Sequence, residues 1–587
     1  MAYTYEYNLL EQITRVKKGT EEIESYTYDN YGNLKEKVVG NGVNHIYTYQ
    51  YKNEITGELE GIELGTDSTV KYERDANGRL REKEIRTKGD NASEQTVVIS
   101  ENYYYRKVGD HATNQISTIR YGEKKGDGLM LRDSVRYAYD KMGNIAKIYE
   151  NGDQEITYEY DGIGRLKREN NKILGKTYLF SYDNNGNVQS RKEYAYTLKK
   201  VEDLPEEYDE YTYGYEKDTD KVLEIFCCEK DESGKYVEST KTFAYDNIGN
   251  PTRYKGKELT WSKGRQLTSY AGVTFRYNGQ GQRISKAQGG VVNNYRYDVN
   301  GNLVKESGKG VEYYYEGNEV IGMKYGGKIY FYRKDILGNI TEIIDNNGKV
   351  VVRYRYDGWG KQKVMNPDGS ENESSTFLGN INPFRYRGYY YDIETGLYYL
   401  KTRYYDPEIG RFITIDDISY LAPDTINGLN LYAYCGNNPV MNVDPNGTSW
   451  WSSLWNGIGN FFSKIGEGIG KIFSGIGNLF GSLVNYNNDF GFDFDIGLDF
   501  ERKSLFERFI ENIEDIRKDK KYFFKDILWD KVLKWASQNS VINGLLAVGG
   551  FIITIAGAVG YSSVLLTGAG IVLAGISVLF WLRNLFD

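Results

Sequence analysis

One motif recurs along this chain and restricts what it can fold into. Tyr-Asp-x-x-Gly followed by Asn or Arg appears as Tyr28-Asp29 with Gly32-Asn33, Tyr139-Asp140 with Gly143-Asn144, and Tyr160-Asp161 with Gly164-Arg165. The Tyr-Asp pair returns at Tyr182-Asp183, Tyr245-Asp246, Tyr297-Asp298 and Tyr356-Asp357. Degenerate copies stand at Arg74-Asp75 and Tyr277-Asn278. From Tyr139 to Tyr160 to Tyr182 the period is about 21 residues, within the range of repeat architectures. Before each copy the sequence alternates, as in Thr157-Tyr158-Glu159-Tyr160, which is strand patterning. The Asp-x-x-Gly stretch is turn chemistry, because Asp bonds local backbone and Gly accepts positive φ. A second short strand follows, such as Ile145 to Tyr149. Each copy therefore reads as a β-hairpin. One hairpin cannot bury its apolar face alone, so neighbours must stack. The 56 Tyr and 66 Gly against 8 Pro fit many short strands joined by turns.

Charge and reactive residues narrow the chemistry. A net charge of −8 argues against a broadly basic nucleic-acid surface, and no nucleic-acid partner is expected. Three cysteines, Cys227, Cys228 and Cys435, make no disulfide framework and read as free thiols. The two histidines, His45 and His111, lie far from the C-terminal third. From Ser449 to Asp587 there is neither His nor Cys. Zinc deaminase, Cys–His hydrolase and His-based nuclease chemistry is thereby excluded from that region. No cofactor and no metal site is expected. The opening MAYTYEYNLLEQITRVKKG has no apolar run with basic flanks, so export is expected to depend on other machinery.

Around Asn382 the texture changes. Residues 382–447 are dense in Tyr, Arg and Asp and do not repeat, running through RYYDPEIGRFI, NLYAYCGNNPV and VDPNG. With the Tyr-Asp repeats, this block resembles the Rhs/YD-repeat family, which includes toxin-complex C components and teneurins. The resemblance covers residues 1 to about 447. It implies a mostly β fold: a YD-repeat hairpin spiral (cocoon) over 1–381, closed by an Rhs core-associated self-cleavage segment over 382–448. A C-terminal variable toxin domain, helical and partly hydrophobic, is expected over 449–587. The chain begins inside the repeat pattern and reads as the C-terminal portion of such a toxin.

By motif match, Asp416 (in GRFITID) and Asp444 (in VDPNG) occupy the family's two aspartate positions. Arg403, in TRYYDP, occupies that of its supporting arginine. The resemblance implies an intramolecular aspartyl protease cutting after Thr448 and before Ser449. The chemistry asks for one ionised carboxylate to activate water and one protonated partner to polarise the carbonyl. Two departures stand out: Asp416-Asp417 where the family usually has Asp-Pro, and Thr448 where it usually has Leu.

Past Thr448 the composition shifts. Over 450–484 apolar residues recur at steps of three and four, the pattern of an amphipathic helix rich in Gly. Residues 489–501, DFGFDFDIGLDFE, alternate acid and apolar, and 502–534 read as one or two amphipathic helices. Between Lys534 and Arg583 there is no charged residue. Two apolar stretches of about 19 residues, Val541 to Val559 and Val564 to Leu582, each match the length that spans a bilayer. Gly560-Tyr561-Ser562-Ser563 separates them as a turn, giving a hydrophobic helical hairpin over 541–582. Its repeated Gly suits close helix packing, and Trp535 and Trp581 suit the interface. In general design it resembles the hairpin of pore-forming colicins.

The expected function is a secreted or cell-surface toxin for interbacterial competition, delivered by a specialised secretion apparatus. Its shell releases, by self-cleavage, a pore-forming transmembrane payload that inserts in the target-cell membrane. A cognate immunity protein, itself a membrane protein, is the expected partner. The alternatives are an enzymatic payload such as a nuclease, using the carboxylates of 489–501, and a non-toxic adhesion or glycan-binding surface protein.

Overall fold

The computed structural model describes residues 3–447, apart from 41, 91–92, 110, 126–127, 218 and 417–429, together with Trp451 and Ser452. The expectations for Thr448, Ser449, 450–484, 489–501, 502–534 and 541–582 thus lie outside the described residues, save the short strand Trp451–Ser452.

The described chain is almost entirely antiparallel β. Nineteen strands run from Tyr3 to Thr242 and fourteen from Ala244 to Met365. Within each set every strand pairs with the next in sequence, as Asp153–Tyr160 does with Leu166–Asn171 and that strand with Lys176–Tyr182. The expected hairpin at Tyr139 is Gly128–Tyr139 paired with Ile145–Glu150. Among the described residues the one α-helix is a single turn, Leu378–Ile381.

The repeat's turn explains its spelling. In the first copy Asp29 N–H donates to Asn33 O, and Gly32 N–H donates to Asp29 O. The Asp29 carboxylate accepts from the N–H groups of Tyr31 and Asn33 and from the Asn33 amide. Gly32 sits at φ +82, where a Cβ is strained. The same net recurs at Asp140, Asp161, Asp183, Asp246 and Asp298. A β-bulge at the motif tyrosine, as between Glu159 and Tyr160, re-aims its side chain. The hydroxyl of Tyr160 then donates back to Ile145 O (2.8 Å), that of Tyr182 to Leu166 O (2.6 Å), and that of Tyr356 to Ile340 O (2.7 Å). Each acceptor is the first strand residue after the preceding turn. The tyrosine therefore ties one hairpin to the one before it.

The structure adds copies that the Tyr-Asp spelling hides. Asp231, Asp335, Asp345 and Asn366 close the same turn with Gly234, Gly338, Gly348 and Gly369. Lys, Ile and Met replace Tyr before them, because the turn depends on the acid or amide and the glycine.

Residues of 384–413 and 432–440 pack against strands of both sets. Tyr386, Tyr398, Tyr405 and Tyr434 pack with Ile119, Leu166 and Phe180 of the first set. Tyr404 and Ile413 pack with Val222, Ile225 and Phe275, while Phe384 and Tyr390 pack with Tyr313 and Tyr354 of the second. Buried ion pairs fasten this segment. Asp392, fully buried, accepts from Arg283 (2.5 Å) and Lys286 (3.0 Å). Burial works against its charge, but the two cations hold its carboxyl below the ordinary range. Aromatic rings surround Arg283, including those of Phe275, Tyr295 and Tyr399. Lys255 reaches Asp406 at 2.7 Å. Cys227 and Cys435 are buried, Cys228 is half-buried, and all three are free.

Candidate functional site

Four short strands of the closing segment carry the site: Tyr390–Asp392, Leu397–Tyr399, Tyr404–Asp406 and Arg411–Phe412. Between the second and third, Leu400 N–H donates to Arg403 O and makes a tight turn with Lys401 at φ +68. That left-handed conformation at a non-glycine residue is strained, a state that persists where the surroundings over-determine it. It sets Thr402 and Arg403 at the tip.

The three sequence-matched residues come together, all buried. One guanidinium nitrogen, Arg403 Nη2, lies 2.7 Å from Asp416 Oδ2 and 3.4 Å from Asp444 Oδ2. Arg403 Nη1 donates to Leu431 O at 3.0 Å, Nε donates to Gly447 O, and the group stacks on the Phe412 ring. Burial draws this guanidinium down to about 10 against the two carboxylates that hold it charged, so it stays a cation at neutral pH. Leu431 O also accepts from Asp416 N–H, so the stretch after residue 429 holds both Arg403 and Asp416.

Asp444 opens the turn leading to the expected cut. Its Oδ1 accepts from Gly447 N–H at 2.8 Å. Gly447 has φ +76, and a Cβ there would lie 2.9 Å from Thr402 Oγ1. Thr402 Oγ1 meets Asn446 O at 2.5 Å and Gly447 O at 3.0 Å. The Tyr389 hydroxyl accepts from Asp444 N–H (3.1 Å) and donates to Asp444 O (2.9 Å). Beyond the turn, Trp451–Ser452 pairs back on Asn442–Val443. Thr448 and Ser449 lie outside the described residues. Two carboxylates, one cation and a main chain held at its carbonyls make a set suited to peptide hydrolysis without a metal. Sequence reasoning reached Arg403, Asp416 and Asp444 but missed Tyr389 and Thr402. Adjacency to Arg403 was the one available signal for Thr402, and Tyr389 had none among so many tyrosines.

A second pair of acids lies elsewhere. Glu169 accepts from Gly358 N–H and from the Asn171 amide. Burial first, then the Asp357 charge, pushes Glu169 up to about 8. Burial raises Asp357 to about 6.

Comparison with known proteins agrees with this architecture. The Teneurin YD-shell family matches residues 305–440. A tRNA3(Ser)-specific nuclease WapA of Bacillus spizizenii is 36% identical over 224 residues, covering 36% of this chain and 9% of that protein. The tRNA nuclease WapA of Bacillus subtilis is 28% identical over 460 residues, covering 76% of this chain and 16% of that one. These matches support an Rhs/YD-repeat family protein. The crystal structure of TcdB2-TccC3-Cdc42 shares the fold, with TM-score 0.55 at 18% identity over 75% of this chain and 23% of the other. Toxin protein Tse5 of Pseudomonas aeruginosa is 24% identical over 53% of this chain and 26% of its own length. The chain thus spans about a quarter or less of each of these relatives.

Proposed function

We propose that this chain is a polymorphic toxin of the Rhs type whose β-shell segment cuts its own main chain between Thr448 and Ser449. The carrying observation is the Arg403 bridge between Asp416 and Asp444, beside a turn whose Gly447 carbonyl the same arginine holds. The aspartyl chemistry asks for one ionised and one protonated carboxylate beside the bond to be cut. The ionised aspartate removes a proton from water, which adds to the Thr448 carbonyl carbon. The protonated aspartate supports the developing oxyanion. The C–N bond to Ser449 then breaks, and the nitrogen leaves with a proton. Arg403 orders both acids and the approach of the chain.

The released payload, 449–587, is proposed to act on a membrane through the hairpin expected over 541–582. Its uncharged stretches and its lack of His and Cys support this reading. Among the described residues no helix is long and apolar enough to cross a membrane, and 541–582 lies outside them. Delivery by a secretion apparatus and a cognate immunity protein, a membrane protein, belong to the same proposal. A second reading, an enzymatic payload, is favoured by the names of relatives: WapA tRNA nucleases and the double-stranded DNA deaminase toxin A of Burkholderia cenocepacia.

Synthesis of the full chain tests the cut. Wild type is expected to give two bands on a denaturing gel, and Asp444→Asn and Asp416→Asn one. A wild-type chain that stays whole overturns the cleavage reading. Dye-loaded liposomes, tRNA and duplex DNA offered to the cut protein separate the payload readings. Leakage without nucleic-acid damage supports the first, and damage without leakage the second.

A further inference from the structure

The cleavage reading needs more than two acids and an arginine, because the main chain must be presented to them. A misplacement of about 1 Å costs roughly a hundredfold in rate. Two hydroxyls outside the matched triad grip that chain on either side of the Asp444–Gly447 turn. Upstream, the Tyr389 hydroxyl engages both main-chain polar groups of Asp444, accepting from N–H at 3.1 Å and donating to C=O at 2.9 Å. Burial keeps this phenol far above its ordinary pKa, so it retains the proton it donates. The Tyr434 hydroxyl lies 3.2 Å away, and the Tyr386 and Tyr398 rings brace the Tyr389 ring at 6.1 and 6.3 Å. Downstream, Thr402 Oγ1 reaches two successive carbonyls, Asn446 O and Gly447 O. The strained turn at Lys401 aims it, and the missing side chain of Gly447 makes room for it.

We propose that Tyr389 and Thr402 are positioning residues of the self-cleavage reaction, a two-sided clamp that fixes Asp444 and the carbonyls before Thr448 so that one peptide bond meets the acid pair. This inference rests on the cleavage reading. Neither hydroxyl is assigned a bond-making step. The Arg403 Nε contact to Gly447 O adds a charged point to the downstream jaw. The clamp explains how Thr448 is accepted where the family usually has Leu: the grip is on main-chain carbonyls, so the next side chain matters less.

The test uses the full-length chain made by cell-free synthesis, with the fraction cut followed over time and both fragment ends read by mass spectrometry. Tyr389→Phe keeps the ring and removes the hydroxyl. Thr402→Val keeps the branched shape and removes the hydroxyl, and Thr402→Ser restores it. We expect Tyr389→Phe and Thr402→Val to slow cutting by roughly tenfold to a hundredfold and to spread the cut over neighbouring bonds. Thr402→Ser is expected to restore both rate and single-bond fidelity. Shell unfolding temperatures should stay within a few degrees of wild type. The inference is overturned if both hydroxyl-free variants cut at the wild-type rate at one bond. Slow cutting at one bond that Thr402→Ser does not rescue overturns it as well, since that marks a packing effect. A wild-type chain that stays whole overturns the cleavage reading and the clamp together, and the wild-type sample alone reveals it.

Discussion

The repeating hairpins and the closing segment 382–447 use the same residue types in opposite ways. In a repeat, Asp161 serves its own turn, bonding Ile163, Gly164 and Arg165 within four residues. In the closing segment, Asp392 faces Arg283 and Lys286 from more than a hundred residues earlier, and Asp406 faces Lys255. Repeat tyrosines reach back one hairpin. Tyr389 instead holds Asp444, and Tyr405 packs against the Tyr434 ring at 4.0 Å. Local bonding makes a wall that extends by addition. Distant bonding makes a junction that forms once, where several parts of the wall meet.

That contrast is open to attack, most strongly at the buried charges. Asp392→Ala leaves Arg283 buried without its acid and Lys286 with Glu394 alone, and should cost about 3–5 kcal/mol by denaturant unfolding. A loss under 1 kcal/mol would show that the closing segment does not depend on its distant pairs. Glycines give a paired comparison. Gly164 (φ +87) has open space where a Cβ would go, so Gly164→Ala should cost about 1–2 kcal/mol from backbone strain alone. Gly360 (φ +91) belongs to the turn between Val350–Tyr356 and Gln362–Met365 and would set a Cβ 2.6 Å from the Tyr386 ring. Gly360→Ala should cost about 1–3 kcal/mol more. Equal melting losses would deny that the wall is pressed against the closing segment there.

The acid pair Glu169 and Asp357 sharpens the contrast through pH. Glu169 titrates near 8 in the folded chain and near the ordinary 4.5 when unfolded. Between those values the folded chain holds more protons, so stability falls as pH rises from about 4.5 to 8. Asp357 adds to the same slope between 3.8 and about 6, with Arg191 and Lys361 opposing its rise and Glu193 favouring it. Glu169→Gln should flatten this decline, stabilising the chain over wild type by several kcal/mol at pH 8 and much less at pH 5. An unchanged pH–stability profile would refute it. The smallest effect belongs to a single repeat tie. Tyr160→Phe loses one hydroxyl bond to Ile145 O and should cost about 1 kcal/mol.

What the sequence disclosed follows the same division. The hairpins were legible because Asp29, Gly32 and Asn33 meet inside one turn, so spelling and geometry coincide. Copies at Asp231, Asp335 and Asp345 escaped because the reading was keyed to tyrosine, which ties hairpins together but does not make the turn. Arg403, Asp416 and Asp444 were reached through resemblance, since no local pattern brings residues 13 and 28 apart in sequence to one guanidinium. The clasp of Tyr389 on Asp444 was unreadable, because it depends on how the closing segment folds across itself. Nor does any spacing rule bring Glu169 to the turn after Tyr356, since those strands belong to different sets.

Because every strand pairs with its sequence neighbour, the wall can be laid down in the order in which the ribosome delivers it. The residues that gather around Arg403 are among the last to emerge before Thr448. Translation order thereby leaves the Arg403 cluster to assemble late, on strands that are already in place.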